Sequence, residues 1–152
     1  IVTERGVAPA SREGLAALEV AVEAVVALED DGRFNAGSGA ACSLDGETFE
    51  RSASVMDTVG ALGAVALVRE VRNPIRLAHA VATRTPHVLL GGAGADSLAR
   101  VLGLPRGSPD LAKARRENAE VMEALKGREP VLPRSENDDF RRLWNYPMPW
   151  SE

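Results

Sequence analysis

The chain has 152 residues, 45% hydrophobic and 26% charged, a size and balance that suit one modest globular domain with its own core. A net charge of −4 with no basic block argues against electrostatic capture of nucleic acid or an anionic membrane. A single cysteine, Cys42, excludes a disulfide framework within the chain.

Aromatic residues make up only 4%, so the core must be built from Val, Leu and Ala. No apolar run approaches the roughly 20 residues of a membrane span. The start, Ile1-Val2-Thr3-Glu4-Arg5, lacks the basic onset and apolar centre of a signal peptide, so a cytoplasmic setting is the expectation. Ile1 is not methionine, and residues upstream are expected to be missing or removed.

In chain order, Ser11 can cap a helix through Leu15, Leu18, Val22, Val25 and Val26, whose wide apolar face predicts burial. It stops at Glu29-Asp30-Asp31-Gly32. Phe34-Asn35-Ala36-Gly37-Ser38-Gly39 reads as an irregular loop, because alternate glycines break a helix. A short strand is expected over Ala40 to Leu44, an Asp45-Gly46 hairpin turn, and a return strand from Glu47 to Met56. Gly63 to Arg69 is nearly all apolar, as in a strand covered on both faces.

Asn73 as cap and Pro74 in the first turn open the next helix, which ends before Pro86. A strand over His87 to Leu90, a Gly91-Gly92-Ala93-Gly94 turn and a helix over Ala95 to Leu102 follow. A charged helix is expected from about Pro109 to Leu125. Residues 126–152 hold four of the nine prolines and both tryptophans and read as a surface tail. Residues 1–125 are thus expected to form the folded part.

The chain offers little self-contained catalytic chemistry. Gly37-Ser38-Gly39 is not a nucleophile elbow, since Ala36 takes the first glycine's place. Cys42, inside an expected strand, reads as a small core residue. His79 and His87 have no carboxylate at an obvious spacing, which disfavours a serine triad, and no His or Cys pair marks a zinc site. Gly92 to Ser97, between a strand and a helix, approaches a dinucleotide fingerprint, but no second strand with an acidic end follows. A glycine-rich packing turn is the plainer reading. Met56-Asp57-Thr58-Val59-Gly60 raises the question of a self-cleaving threonine. The loop from Leu28 to Gly39 could turn successive carbonyls toward a cation.

Together "ALEDDGRFNAGSGA", "SASVMD", "GAVALVREVRNPIRLAHAV" and "TPHVLLGGAGADSLARVLG" resemble the α subunit of plant-type asparaginases and isoaspartyl peptidases. These are N-terminal nucleophile (Ntn) hydrolases related to the glycosylasparaginases. The resemblance covers about Ala17 to Leu104 and implies a mixed α/β fold of α+β type, one half of a four-layer αββα sandwich. It implies a precursor that cuts itself once, so that a β subunit begins with a nucleophilic threonine whose own α-amino group acts as base. It further implies an (αβ)2 assembly, no organic cofactor, and hydrolysis of asparagine and β-aspartyl dipeptides. Glycosylasparagine cleavage and a non-catalytic nucleotide-binding module on Gly92 to Ser97 are the alternatives.

By the same resemblance Asn35 lies close to the nucleophile and orders the site. A sodium-binding loop takes the main-chain carbonyls of Leu28, Glu29, Asp31, Phe34, Ala36 and Ser38. Substrate-gripping residues belong to the β subunit. Thr58 then reads as a turn residue, because α-subunit sequence continues on both sides of it. The cleavage site is expected at or beyond Glu152. The family's opening His-Gly-Gly-Ala-Gly strand is absent, Ser52 stands where an aspartate is usual, and Thr58 where a glycine follows Met-Asp.

Overall fold

The computed structural model describes residues 16–126. The elements are α1 (Ala17–Asp31), a 3-10 turn (Gly37–Gly39), β1 (Arg51–Met56), β2 (Leu62–Val68), α2 (Pro74–Arg84), β3 (Leu89–Gly91), α3 (Gly92–Val101) and α4 (Leu111–Lys126). The Ser11 cap and the tail over 127–152 lie outside the described residues.

The strands form one sheet in the order β1-β2-β3. β1 and β2 are an antiparallel hairpin, and β3 joins β2 in parallel after the α2 crossover. Thr58 sits exposed at the hairpin tip, where the Asp57 carboxylate accepts the Val59 and Ala61 N–H groups at 2.9 and 2.8 Å. That local hydrogen bonding is ordinary turn chemistry, and Thr58 is a turn residue.

A β-bulge decides which side chains β2 buries. Val55 pairs with Gly63 and Ala53 with Val65, but Arg51 pairs with Val68, so β2 carries an extra residue. Leu67 absorbs it at φ 56° and is turned outward. Strict alternation would bury Leu67 after Gly63 and Val65; the bulge sends Val68 inward in its place.

The core lies between this face of the sheet and the helices, with Val65, Val68, Val71, Leu77 and Val81 at 0–2% exposure. α2 lies directly over β1 and β2 because Gly63 has no side chain: a Cβ there would meet the Ala78 carbonyl oxygen and the Ala82 nitrogen. The other face has little cover. Ser52, Ser54, Met56, Leu62 and Leu89 are exposed, and Met56 shows 73% of its surface.

Several expectations shift. No strand forms over Ala40 to Leu44 and β1 starts only at Arg51, although Asp45-Gly46 does turn, with Gly46 N–H on the Ser43 carbonyl at 2.9 Å. Ser43 N–H does donate across the turn to Thr48 O at 2.8 Å, but no strand ladder continues from it, and the Ser43 carbonyl also accepts Asn118 Nδ2 of α4 at 3.2 Å. Gly92-Ala93-Gly94 is the first turn of α3, not a loop before it, and β3 runs over Leu89–Gly91, not from His87.

Gly63→Ala is expected to destabilise the folded protein by about 1–3 kcal/mol, the usual range for overpacking a tight contact. A urea titration of the assembled protein checks this; an unchanged midpoint would mean that α2 stands off the sheet.

Candidate active site

α1 ends where Gly32 adopts φ 77°, the left-handed conformation that closes many helices. The chain then folds back on the helix end. A Cβ at Gly37 would lie 2.5 Å from the Glu29 carbonyl oxygen, and one at Gly39 would lie 2.5 Å from the Gly32 carbonyl oxygen and against that of Phe34. Both glycines are therefore needed for the backbone to close over itself.

Hydrogen bonds hold the fold-back at each step. Ser38 Oγ donates to the Glu29 carbonyl at 2.7 Å. Ala36 N–H donates to Phe34 O at 2.8 Å and Gly39 N–H to Ala36 O at 2.9 Å. Asn35 spans the 3-10 turn, its Oδ1 accepting the Ala41 N–H at 2.9 Å. The asparagine is exposed, so it stands at the surface of the loop it clasps.

Behind the loop lies Glu29, 3% exposed. Its Oε1 accepts the Ile75 N–H at 3.1 Å, one of the unpaired donors in the first turn of α2. Asn73 is the residue preceding α2, as expected, but its side chain does not cap the helix. Its Nδ2 donates instead to Asp30 Oδ1 at 3.0 Å, and Asp30 also takes Arg72 Nε at 3.1 Å. Capping from a distant helix thus ties the end of α1 to the start of α2.

Glu29 Oε2 is buried without a protein partner, and so is Nε of Arg51, whose Nη2 serves the carbonyls of Arg69 and Gly107. Burial pushes the Glu29 carboxyl up to about 7, against the opposing effect of the Ile75 N–H, the Asn73 amide and the Arg51 charge. Burial likewise lowers the Arg51 guanidinium from its ordinary value. The charged forms of both are under strain from missing solvent.

Sequence reasoning located Leu28, Glu29, Asp31, Phe34, Asn35, Ala36 and Ser38 on this loop. Leu28, Glu29 and Asp31 are the last turn of α1 and not loop; the returning chain brings Gly37 against the Glu29 carbonyl and Gly39 against those of Gly32 and Phe34. Sequence reasoning missed α4. The N-terminal half of that helix lies along the loop: Asp110 N–H donates to Ser38 O at 2.8 Å, Lys113 Nζ reaches Gly32 O at 2.8 Å and Gly39 O at 3.3 Å, and Cys42 Sγ lies 3.6 Å from Ala114 O. Cys42 is half-buried in irregular chain, not in a strand. The only available signal was the helical spacing of Asp110, Lys113, Ala114 and Asn118, which says nothing of what they face.

Among the described residues no cluster of three or more His, Cys, Asp or Glu could hold a metal, and no helix is long and apolar enough to cross a membrane. Gly92 to Ser97 does form a strand-to-helix junction, but among the described residues no strand follows α3, so the second half of a dinucleotide site is missing there. What the helix end and the returning chain form is a glycine-dependent carbonyl loop with an asparagine clasp.

Sequence comparison gives the family. The family model described as "Asparaginase" matches residues 2–139, and the chain belongs to that family. It is similar to an isoaspartyl peptidase of Escherichia coli, 41% identical over 124 residues, covering 80% of this chain and 38% of that protein. It is 47% identical over 95 residues to an isoaspartyl peptidase/L-asparaginase of Macaca fascicularis, covering 62% of this chain and 30% of that protein. A plant-type L-asparaginase of Pyrococcus abyssi is 38% identical over 109 residues, 72% of this chain and 36% of that protein. The chain spans about a third of the length of these relatives.

The Glu29 pKa sets a pH dependence. A carboxyl raised from 4.5 to about 7 on folding binds its proton more tightly in the folded state. Its stabilising contribution is full below pH 4.5 and is lost as pH rises through about 7. Glu29→Gln keeps the acceptor for Ile75 and removes the titration. The stability of the variant relative to wild type is expected to rise between pH 5 and 8 in thermal melts; a difference independent of pH would show that Glu29 is ionised throughout.

Proposed function

We propose that the chain is the α part of a self-cleaving threonine-nucleophile amidohydrolase that hydrolyses L-asparagine to aspartate and ammonia and cleaves β-aspartyl dipeptides. The observation that carries this reading is the Phe34-Asn35-Ala36-Gly37 loop, closed by Asn35 onto Ala41, in a chain of the asparaginase family. Relatives named for isoaspartyl peptidase and L-asparaginase activity support it. The alternatives, glycosylasparagine cleavage and nucleotide binding at Gly92 to Ser97, have no observation in their favour.

In this reading the threonine hydroxyl of a partner β subunit attacks the side-chain amide carbonyl. The proton passes through the threonine's α-amino group to the leaving amine, and water then releases the aspartyl group. This chain contributes positioning. Asn35, on a loop with little freedom, orders the site beside the nucleophile. The uncovered sheet face of Ser52, Ser54, Met56, Leu62 and Leu89 suits a second sheet, which would complete a four-layer αββα sandwich. Residues 1–125 would be the folded half and 126–152 the segment leading to the cleavage site. An (αβ)2 assembly and a cytoplasmic location belong to the same reading.

The loop also has the chemistry for sodium, with no organic cofactor needed. Hard cations take oxygen ligands, and the carbonyls of Leu28, Glu29 and Asp31 at the end of α1 with those of Phe34, Ala36 and Ser38 on the returning chain are an all-oxygen set. Those of Glu29, Phe34, Ala36 and Ser38 already accept one hydrogen bond each, which leaves each a second lone pair. Sodium there would supply a fixed charge that holds the turn closed.

The full-length polypeptide is expected to resolve into two fragments, the second beginning with threonine, and to release ammonia from asparagine and free amino acid from β-aspartyl dipeptides. A single uncut, inactive species would overturn the reading. Asn35→Ala is expected to lower kcat/KM by roughly tenfold to a hundredfold, the cost of a misplaced reacting group, with little change in melting temperature. Unchanged turnover would remove Asn35 from the site.

A further inference from the structure

Lys113 occupies an unusual position for a surface-helix lysine. It lies in the first turn of α4, whose start is capped by Asp110 through the N–H groups of Ala112 and Lys113 at 3.0 and 3.1 Å. Its side chain is 21% exposed, and its ammonium has three acceptors: Gly32 O at 2.8 Å, Gly39 O at 3.3 Å and Glu117 Oε1 at 3.6 Å. An ammonium has three protons to donate, so this one is matched. The two carbonyls bracket the loop. Gly32 is its first residue after α1 and Gly39 is the last of the 3-10 turn.

A positive charge between carbonyls of a tight turn does what a bound cation does there: it offsets the repulsion of converging dipoles. Gly32 and Gly39 are not among the six carbonyls assigned to sodium, so both cations can act on one loop through different carbonyls. The surrounding contacts keep the lysine in register. Asp110 N–H holds Ser38 O, and Asn118 Nδ2 holds Ser43 O, one turn to either side along the same face of α4.

We propose that Lys113 is a tethered cation of the active-site loop, a positioning residue whose ammonium keeps the Asn35 turn closed without dissolved sodium. A cation carried on the chain is present at any salt concentration. The loop's closure, and the alignment of Asn35 with it, is therefore insensitive to sodium as long as Lys113 is there. The catalytic consequence rests on the amidohydrolase reading above; the mechanical one does not.

The test is Lys113→Met in the full-length processed protein, which keeps the aliphatic stem and removes the ammonium. Hydrogen exchange is followed at the amides of Ala36, Gly39, Ala40 and Ala41 in sodium chloride and in choline chloride of equal ionic strength. Wild type is expected to exchange equally slowly in both. The variant is expected to exchange about tenfold faster in choline, as for loss of a charged hydrogen bond, and to return toward wild type in sodium. Asparagine kcat/KM should follow the same pattern, and Lys113→Arg should behave as wild type. Wild-type protection that itself requires sodium would overturn the proposal, as would a variant that exchanges like wild type in both salts. A variant loosened equally in both salts would also overturn it, since that is a packing role and not a cation's. Should the processed protein fail to turn over asparagine, the amidohydrolase reading falls, while the exchange comparison still decides the role of Lys113.

Discussion

Glu29 is the residue on which the rest of the site depends. Its main-chain carbonyl accepts the Ser38 hydroxyl and its side chain accepts the first free N–H of α2. One residue at the end of a helix thus holds a loop on one side and a second helix on the other. A hydrogen-bonded carboxylate at a helix start is favourable because it meets the positive end of the helix dipole. Burial works against the same charge, and the balance leaves the carboxyl near neutrality in its proton affinity.

This arrangement explains why the loop is so rich in glycine. Once Glu29 is fixed against α2, the returning chain must pass within contact distance of its backbone, and only Gly37 and Gly39 leave room. The turn is then too short to satisfy all of its carbonyls internally. Some are met by Ser38 and by neighbouring amides, and two by Lys113. A loop held at this many points has little conformational freedom, which suits positioning.

The sheet has a complementary asymmetry. The bulge at Leu67 turns Val68 inward and leaves one face closely packed under α2, while Met56, Leu62 and Leu89 stand exposed on the other side. An apolar sheet face of this kind needs a covering layer in water.

Local signals in the sequence were sufficient for the helices, since α1, α2 and α4 carry periodic apolar residues with Gly32, Pro74 and Asp110 at their boundaries. They were also sufficient for the hairpin tip at Thr58 and for the loop motif from Phe34 to Gly39, where residue type restricts the backbone directly. They were not sufficient for the strand expected over Ala40 to Leu44, because short apolar runs pair only where a partner strand is in reach, and this one met α4. Nor could they show the bulge, whose register depends on which residues α2 covers. The sequence by itself determined the family, the tight turn and the asparagine within it. Only the tertiary structure decided that Glu29 caps a helix 46 residues away and that Lys113 closes the loop, because both depend on distances between segments that no local pattern records.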